Sequence, residues 1–150
     1  MIELKIINSL IPKFIPLPAY QTDGSAGIDI HACMDYHIII NPGETKLIGS
    51  GFALHIGNPN IVAILFARSG LSVKHGIVLA NAVGIIDSDF QGEIKVALYN
   101  HSNKGYEVKP GERIAQLVFM GLFQQEFKVV EKFSNETLRG ENGFGHTGKF

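Results

Sequence analysis

The sequence predicts an all-β protein, and three observations carry that prediction. Isoleucine and valine number 28, against 22 for alanine and leucine. β-branched side chains suit a pleated, half-buried surface, whereas alanine and leucine suit helices. Glycine is also high, at 17 of 150 residues, where a share of about 7% is usual. Many short strands need many turns, and turns use glycine. Finally, about nine to eleven short apolar or alternating runs follow one another at turn-punctuated spacing, the pattern of a sandwich, barrel or jelly roll.

The elements follow in order. Residues 2–8 alternate and open the chain as a strand. Residues 26–32, Ala-Gly-Ile-Asp-Ile-His-Ala, are strand-like, with Asp29 on the face opposite Ile28 and Ile30. Residues 36–40, 45–48 and 52–56 read as three strands, separated by Asn41-Pro-Gly43 and Gly49-Ser-Gly51. Residues 61–67 are the longest purely apolar run, 7 residues, and read as a strand buried on both faces. Ser69 is placed to cap a short helix over residues 70–75, which Gly76 ends. Residues 77–80 and 83–86 flank Asn81 as a hairpin. Residues 93–99 alternate charged and apolar groups, 106–109 and 113–120 flank the turn Pro110-Gly111, and 123–130 form the last strand. Residues 134–150 are polar and glycine-rich, and so add little to the core of their own chain.

The expected organisation is one domain over residues 1–150, with a core of about 1–133 and a flexible tail of about 134–150. A membrane-spanning helix needs about 20 apolar residues in a row, and no such run is present. The net charge of −1 does not suit a protein that tracks a nucleic-acid polymer, whose partners show a basic face. A small anionic ligand needs only a few local cations. Cys33 is the only cysteine, so an internal disulfide and a multi-cysteine zinc site are excluded, and the six histidines have no ligand-like spacing. Asn8, Pro12, Lys13, Pro16 and Pro18 break the first apolar stretch, unlike a signal peptide, which leaves a cytoplasmic location as the expectation.

Five clusters carry potential chemistry, each beside a plainer alternative. Asp29 fits a solvated strand face or a carboxylate beside a ligand or metal. Arg68, Ser69 and Gly70 join the most apolar strand to the short helix, where a helix N-terminus and an arginine suit a phosphate, or simply a capped helix with a surface arginine. Asn81 to Gly92 holds Asp87 and Asp89, which fit an acidic turn, a general base toward water or a pair holding a hard cation. Arg113 and Gln116 are long polar groups in an apolar strand. A buried glutamine amide needs a partner, since leaving it unpaired costs about 1–3 kcal/mol; a structural hydrogen bond and a ligand phosphate both serve. The tail Arg139-Gly-Glu-Asn-Gly-Phe-Gly-His-Thr-Gly148 fits a disordered terminus or a lid carrying an arginine, an aromatic ring and a hydroxyl.

The order of these clusters resembles the five motifs of the homotrimeric dUTPase family, from Ala26 to Gly148. The resemblance implies a β jelly roll with one short helix, assembled as a trimer whose active sites lie between subunits. It implies hydrolysis of dUTP to dUMP and pyrophosphate, keeping uracil out of DNA and supplying dUMP for thymidylate synthesis. Magnesium would be bound through the triphosphate and water, with no direct protein ligand and with Asp29 nearby. By the same resemblance, Asp87 is the base that activates water and Asp29 stands near the water and metal region. Arg68, Ser69, Gly70 and Gln116 seat the triphosphate, and Arg139 and Thr147 clasp its outer phosphates from the tail. Asn81, Gly84 and Ile86 read the uracil, Phe90 lies under the sugar, and Phe144 stacks on the base.

Three positions depart from the family pattern: Phe90 for a common tyrosine, Asn142 for a glycine and His146 for a small hydroxyl residue. A related deoxycytidine triphosphate deaminase would carry Arg-Ser-Ser and a hairpin glutamate, where this chain has Gly70 and Asp87. A non-catalytic β module would not need base and phosphate groups together.

Overall fold

The computed structural model describes residues 1–143. These form ten strands and two short helices. Strands β1 (Glu3–Ile6), β4 (Thr45–His55), β8 (Glu93–Asn100) and β6 (Ile77–Leu79) make one sheet in the order β1-β4-β8-β6. Strands β2 (Ile28–His31), β10 (Arg113–Gly121), β5 (Ile61–Ala67) and β7 (Gly84–Ile86) make a second in the order β2-β10-β5-β7. β3 (Ile38–Ile40) and β9 (Tyr106–Val108) pair separately. Every pairing is antiparallel. The all-β, jelly-roll-like expectation is met.

Alternation builds the core. In β8, Ile94, Val96, Leu98 and Asn100 point inward and the residues between them outward. Ile30, Ile40, Ile48, Ile77 and Ile114 are all but fully buried on facing strands; each contributes about 1.5–3 kcal/mol relative to exposure. The one fully buried polar side chain of size, Asn100, is saturated. It donates to the carbonyls of Ile40 (2.8 Å) and Lys104 (2.7 Å) and accepts from the Ser102 amide and hydroxyl.

Four expectations are corrected. Gly49-Ser-Gly51 is a bulge within the single eleven-residue β4, not a turn between two strands. Gly51 has φ +78°, and its N–H donates to the Glu93 carboxylate at 3.0 Å. The bulge lets the first half of β4 pair with β8 and the second half with β1. Second, residues 77–80 and 83–86 are not a paired hairpin. β6 joins β8 and β7 joins β5, so their connection passes between sheets, with Ala82 in the left-handed region at φ 62°. Third, residues 123–130 form no strand and find no partner among the described residues: Phe123, Phe127 and Val129 are exposed. Finally, the cap position of helix α2 (Ser69–His75) is Arg68, with Ser69 inside the first turn. Gly76 does end α2, at φ 69° with its N–H on the Ser72 carbonyl. The first helix, α1 (Leu10–Lys13), is a single interrupted turn that buries Ile11.

Candidate active site

Two groups of side chains flank β5. The first surrounds a cavity of about 330 Å³ between the splayed β6–β7 connection and β8. Asn81, Gly84, Ile86, Asp87 and Phe90, all singled out from the sequence, line it. β6 and β7 are each the last strand of their sheet, so the backbone groups along their outer edges lack ladder partners among the described residues. Gly84 is closely packed, since a Cβ there would lie 3.1 Å from Cβ of Leu65. At Gly92 a Cβ would come within 2.6 Å of Cζ of Phe90, so the ring would have to turn aside. Asp87 is exposed just beyond β7.

Glu93 and Lys95 also line the cavity, and sequence reasoning missed them. The signal was present. Both are charged and alternate with buried Ile94 and Val96, so they share the outward face of β8.

The second group gathers where β5 ends and β2 and β10 flank it. Asp29 holds two arginines: its Oδ1 lies 3.1 Å from Nε of Arg68, and its Oδ2 lies 3.2 Å from Nη1 of Arg113. Arg68 also donates from Nη1 to the Arg113 carbonyl at 3.0 Å. Two guanidinium groups and one carboxylate leave the cluster one unit positive. Asp29 is therefore committed to cations, with its side chain only 15% exposed. Gln116, opposite Asp29 on β10, finds the structural partner its burial demands, donating to the Ala67 carbonyl at 3.1 Å. His31, paired with Arg113 across the ladder, has its pKa lowered by burial and by both arginines, with Asp29 opposing.

Ser69 and Gly70 are exposed at the start of α2. A Cβ at Gly70 would meet nothing within 4 Å, and its φ is not left-handed. The fold does not require a glycine there, so the clearance it leaves is available to a ligand. Arg139 is exposed and donates to the Asn142 carbonyl at 3.0 Å. Phe144, His146 and Thr147 lie outside the described residues.

Asp87 and Arg68 are far apart within one chain. Ile86 pairs with Ala63, which sets Asp87 beside Val62. Arg68 lies six residues further along, roughly 20 Å at about 3.3 Å per residue.

An antiparallel β fold with a carboxylate at the mouth of a cavity, and a cationic pair suited to phosphate, defines an enzyme acting on a phosphorylated small molecule. The dUTPase family model matches residues 13–148. The deoxyuridine 5'-triphosphate nucleotidohydrolase of Idiomarina loihiensis is 53% identical over 148 residues, 99% of this chain and 97% of the relative. That of Haemophilus influenzae is 51% identical with the same coverage. Among solved structures, the dUTPase of Staphylococcus bacteriophage 80alpha with dUPNHPP superposes with a TM-score of 0.86 at 26% identity, covering 99% of this chain and 98% of that one. The chain belongs to the dUTPase family, hydrolases of nucleotide metabolism.

Proposed function

We propose that this chain hydrolyses dUTP to dUMP and pyrophosphate with magnesium, as a homotrimer in the cytoplasm. The observation that carries the reading is the cavity between two unpaired strand edges, with Asp87 at its mouth. Free backbone donors and acceptors in the cavity wall match the edge of uracil. Cytosine, with donor and acceptor exchanged, leaves them unsatisfied, a mismatch that discriminates strongly. In this reading the pocket wall excludes the thymine methyl by overlap, and Phe90, which lines the same cavity, packs under the sugar against a ribose 2′-hydroxyl.

Asp87 takes a proton from water as the oxygen attacks the α-phosphorus. The bond from that phosphorus to the bridging oxygen breaks, and pyrophosphate leaves. Arg68, Ser69, Gly70 and Gln116 seat the phosphates, while Asp29 holds Arg68 beside them. Arg139 and Thr147 clasp the outer phosphates, and Phe144 stacks on the base.

No three acidic, histidine or cysteine side chains gather as a metal cage among the described residues. Asp29 is occupied by arginines, and Asp87 has only Asp89 beside it. Magnesium would be held through the triphosphate and water, whose oxygens are the hard ligands it takes, and would supply charge neutralisation.

Since Asp87 and Arg68 face opposite ends of β5, one substrate reaches both only when the chains supply them jointly. A cyclic trimer in which each chain gives its base pocket to one site and its phosphate seat to the next satisfies this.

The test is pyrophosphate release from dUTP, dTTP, dCTP and UTP, with magnesium and with chelator. Turnover is expected from dUTP with magnesium alone. Comparable release from all four nucleotides overturns the specificity.

A further inference from the structure

We infer that Arg113 is a positioning residue for the phosphate seat, acting through Asp29 and Arg68. The inference rests on the assignment of Arg68 to the triphosphate. Three contacts close a ring that begins and ends on residue 113. The Arg68 Nη1 donates to the Arg113 carbonyl at 3.0 Å. The Arg68 Nε meets Oδ1 of Asp29 at 3.1 Å. The Arg113 Nη1 meets Oδ2 of the same carboxylate at 3.2 Å.

Local structure builds this ring. β10 and β2 slip register between Arg113 and Ala115, so Arg113 faces His31 while Ala115 faces Ile30. A bulge of this kind bends the strand and re-aims its groups. Here the Arg113 carbonyl is brought against the guanidinium that follows β5.

Physical chemistry gives the ring its purpose. A carboxylate beside a single arginine takes it bidentately, fork to fork. Asp29, half claimed by Arg113, engages Arg68 through Nε alone, and the carbonyl of Arg113 claims Nη1. The remaining terminal nitrogen of Arg68, Nη2, has no protein partner among the described residues. It is the donor left to meet a phosphate oxygen. Without the Arg113 guanidinium, Asp29 draws Arg68 back into a two-pronged pair, and the cluster falls from one positive unit to neutral. The loss falls on substrate binding more than on the chemical step, which belongs to Asp87.

The test is steady-state kinetics on the full chain with magnesium and dUTP, for Arg113→Met, Arg113→Lys and each combined with Asp29→Asn. Arg113→Met is expected to raise KM about tenfold while kcat changes less than about threefold, and Arg113→Lys to recover most of that loss. In the Asp29→Asn background, replacing Arg113 is expected to add less than about twofold. A folded Arg113→Met enzyme with unchanged KM overturns the inference. So does an Arg113 effect that persists in full once Asp29 is Asn. Should Arg113→Met fail to fold, Arg113→Lys with and without Asp29→Asn decides between the same two outcomes. Failure of the unaltered chain to release pyrophosphate from dUTP strikes the functional reading instead, so the two failures are separable.

Discussion

Ile86 stands opposite Ala63, which puts Asp87 at the start of β5 while Arg68 leaves from its end. On the proposed reading, one chain holds halves of two different sites. Two inactive variants should then repair one another. Asp87→Asn keeps the phosphate seat and Arg68→Ala keeps the base. Mixed by unfolding and refolding together, they should recover roughly a quarter of unaltered activity, since each hybrid site draws its halves from different chains of a closed ring. Light scattering should report about three times 16.4 kDa. No recovery, with the expected mass, places both groups on one chain.

Asp87→Asn alone should lower kcat about 10²- to 10⁴-fold, the usual contribution of a positioned general base. Asp87 is exposed and makes no packing contact the core depends on, so binding of a non-hydrolysable dUTP analogue should stay within a few-fold. Calorimetry together with a pyrophosphate assay separates the two effects. Near-normal turnover removes Asp87 from the base role.

How much of this was legible in the sequence depends on whether the deciding partner was local. β5 and β10 were readable because uninterrupted apolar character needs no neighbour to identify it. The Gly49-Ser-Gly51 bulge was not: a glycine pair reads equally as a turn, and the acceptor that fixes it, Glu93, comes 42 residues after Gly51. The same holds for residues 77–86, whose strands are claimed by β8 and β5 before they pair with each other. Residues 123–130 alternate like a strand, but alternation says only that one face seeks cover, and no strand among the described residues pairs with them. Around the candidate site, the distance between Asp87 and Arg68 along β5 was a matter of register, which the sequence does not carry.

Asn100→Asp should cost about 2–4 kcal/mol, the penalty for breaking a buried, fully paired polar group. The amide gives two protons to the carbonyls of Ile40 and Lys104. A carboxylate there sets oxygen against oxygen. Urea denaturation should show a lower midpoint with an unchanged slope. A stability within about 0.3 kcal/mol of the unaltered protein removes Asn100 from the core's polar network.

His31 should make stability pH-dependent. Its folded pKa is lowered by burial first and by the nearby arginines, against the pull of Asp29. Between that value and the ordinary 6.5, the unfolded chain holds a proton that the folded chain does not. Stability therefore rises with pH across that window and is lost as pH falls below 6.5. Melting temperatures from about pH 7.5 down to about 5.5 should fall, and His31→Asn should flatten the decline. An equal slope in the variant assigns the effect elsewhere.

Deleting residues 139–150 should abolish turnover while leaving the core intact. Leu138 and Phe133 are exposed, and Arg139 bonds only within its own turn, to Asn142. Removing this segment takes away no buried side chain among the described residues, so the melting temperature should move by less than about 2 °C, the scale of a change well under 1 kcal/mol in a domain of this size. If the tail closes over the substrate, activity on dUTP should drop at least about 100-fold, because an arginine on the phosphates and the exclusion of water go with it. Full activity in the truncated chain removes the lid from the mechanism, and a large fall in melting temperature makes the tail part of the folded core.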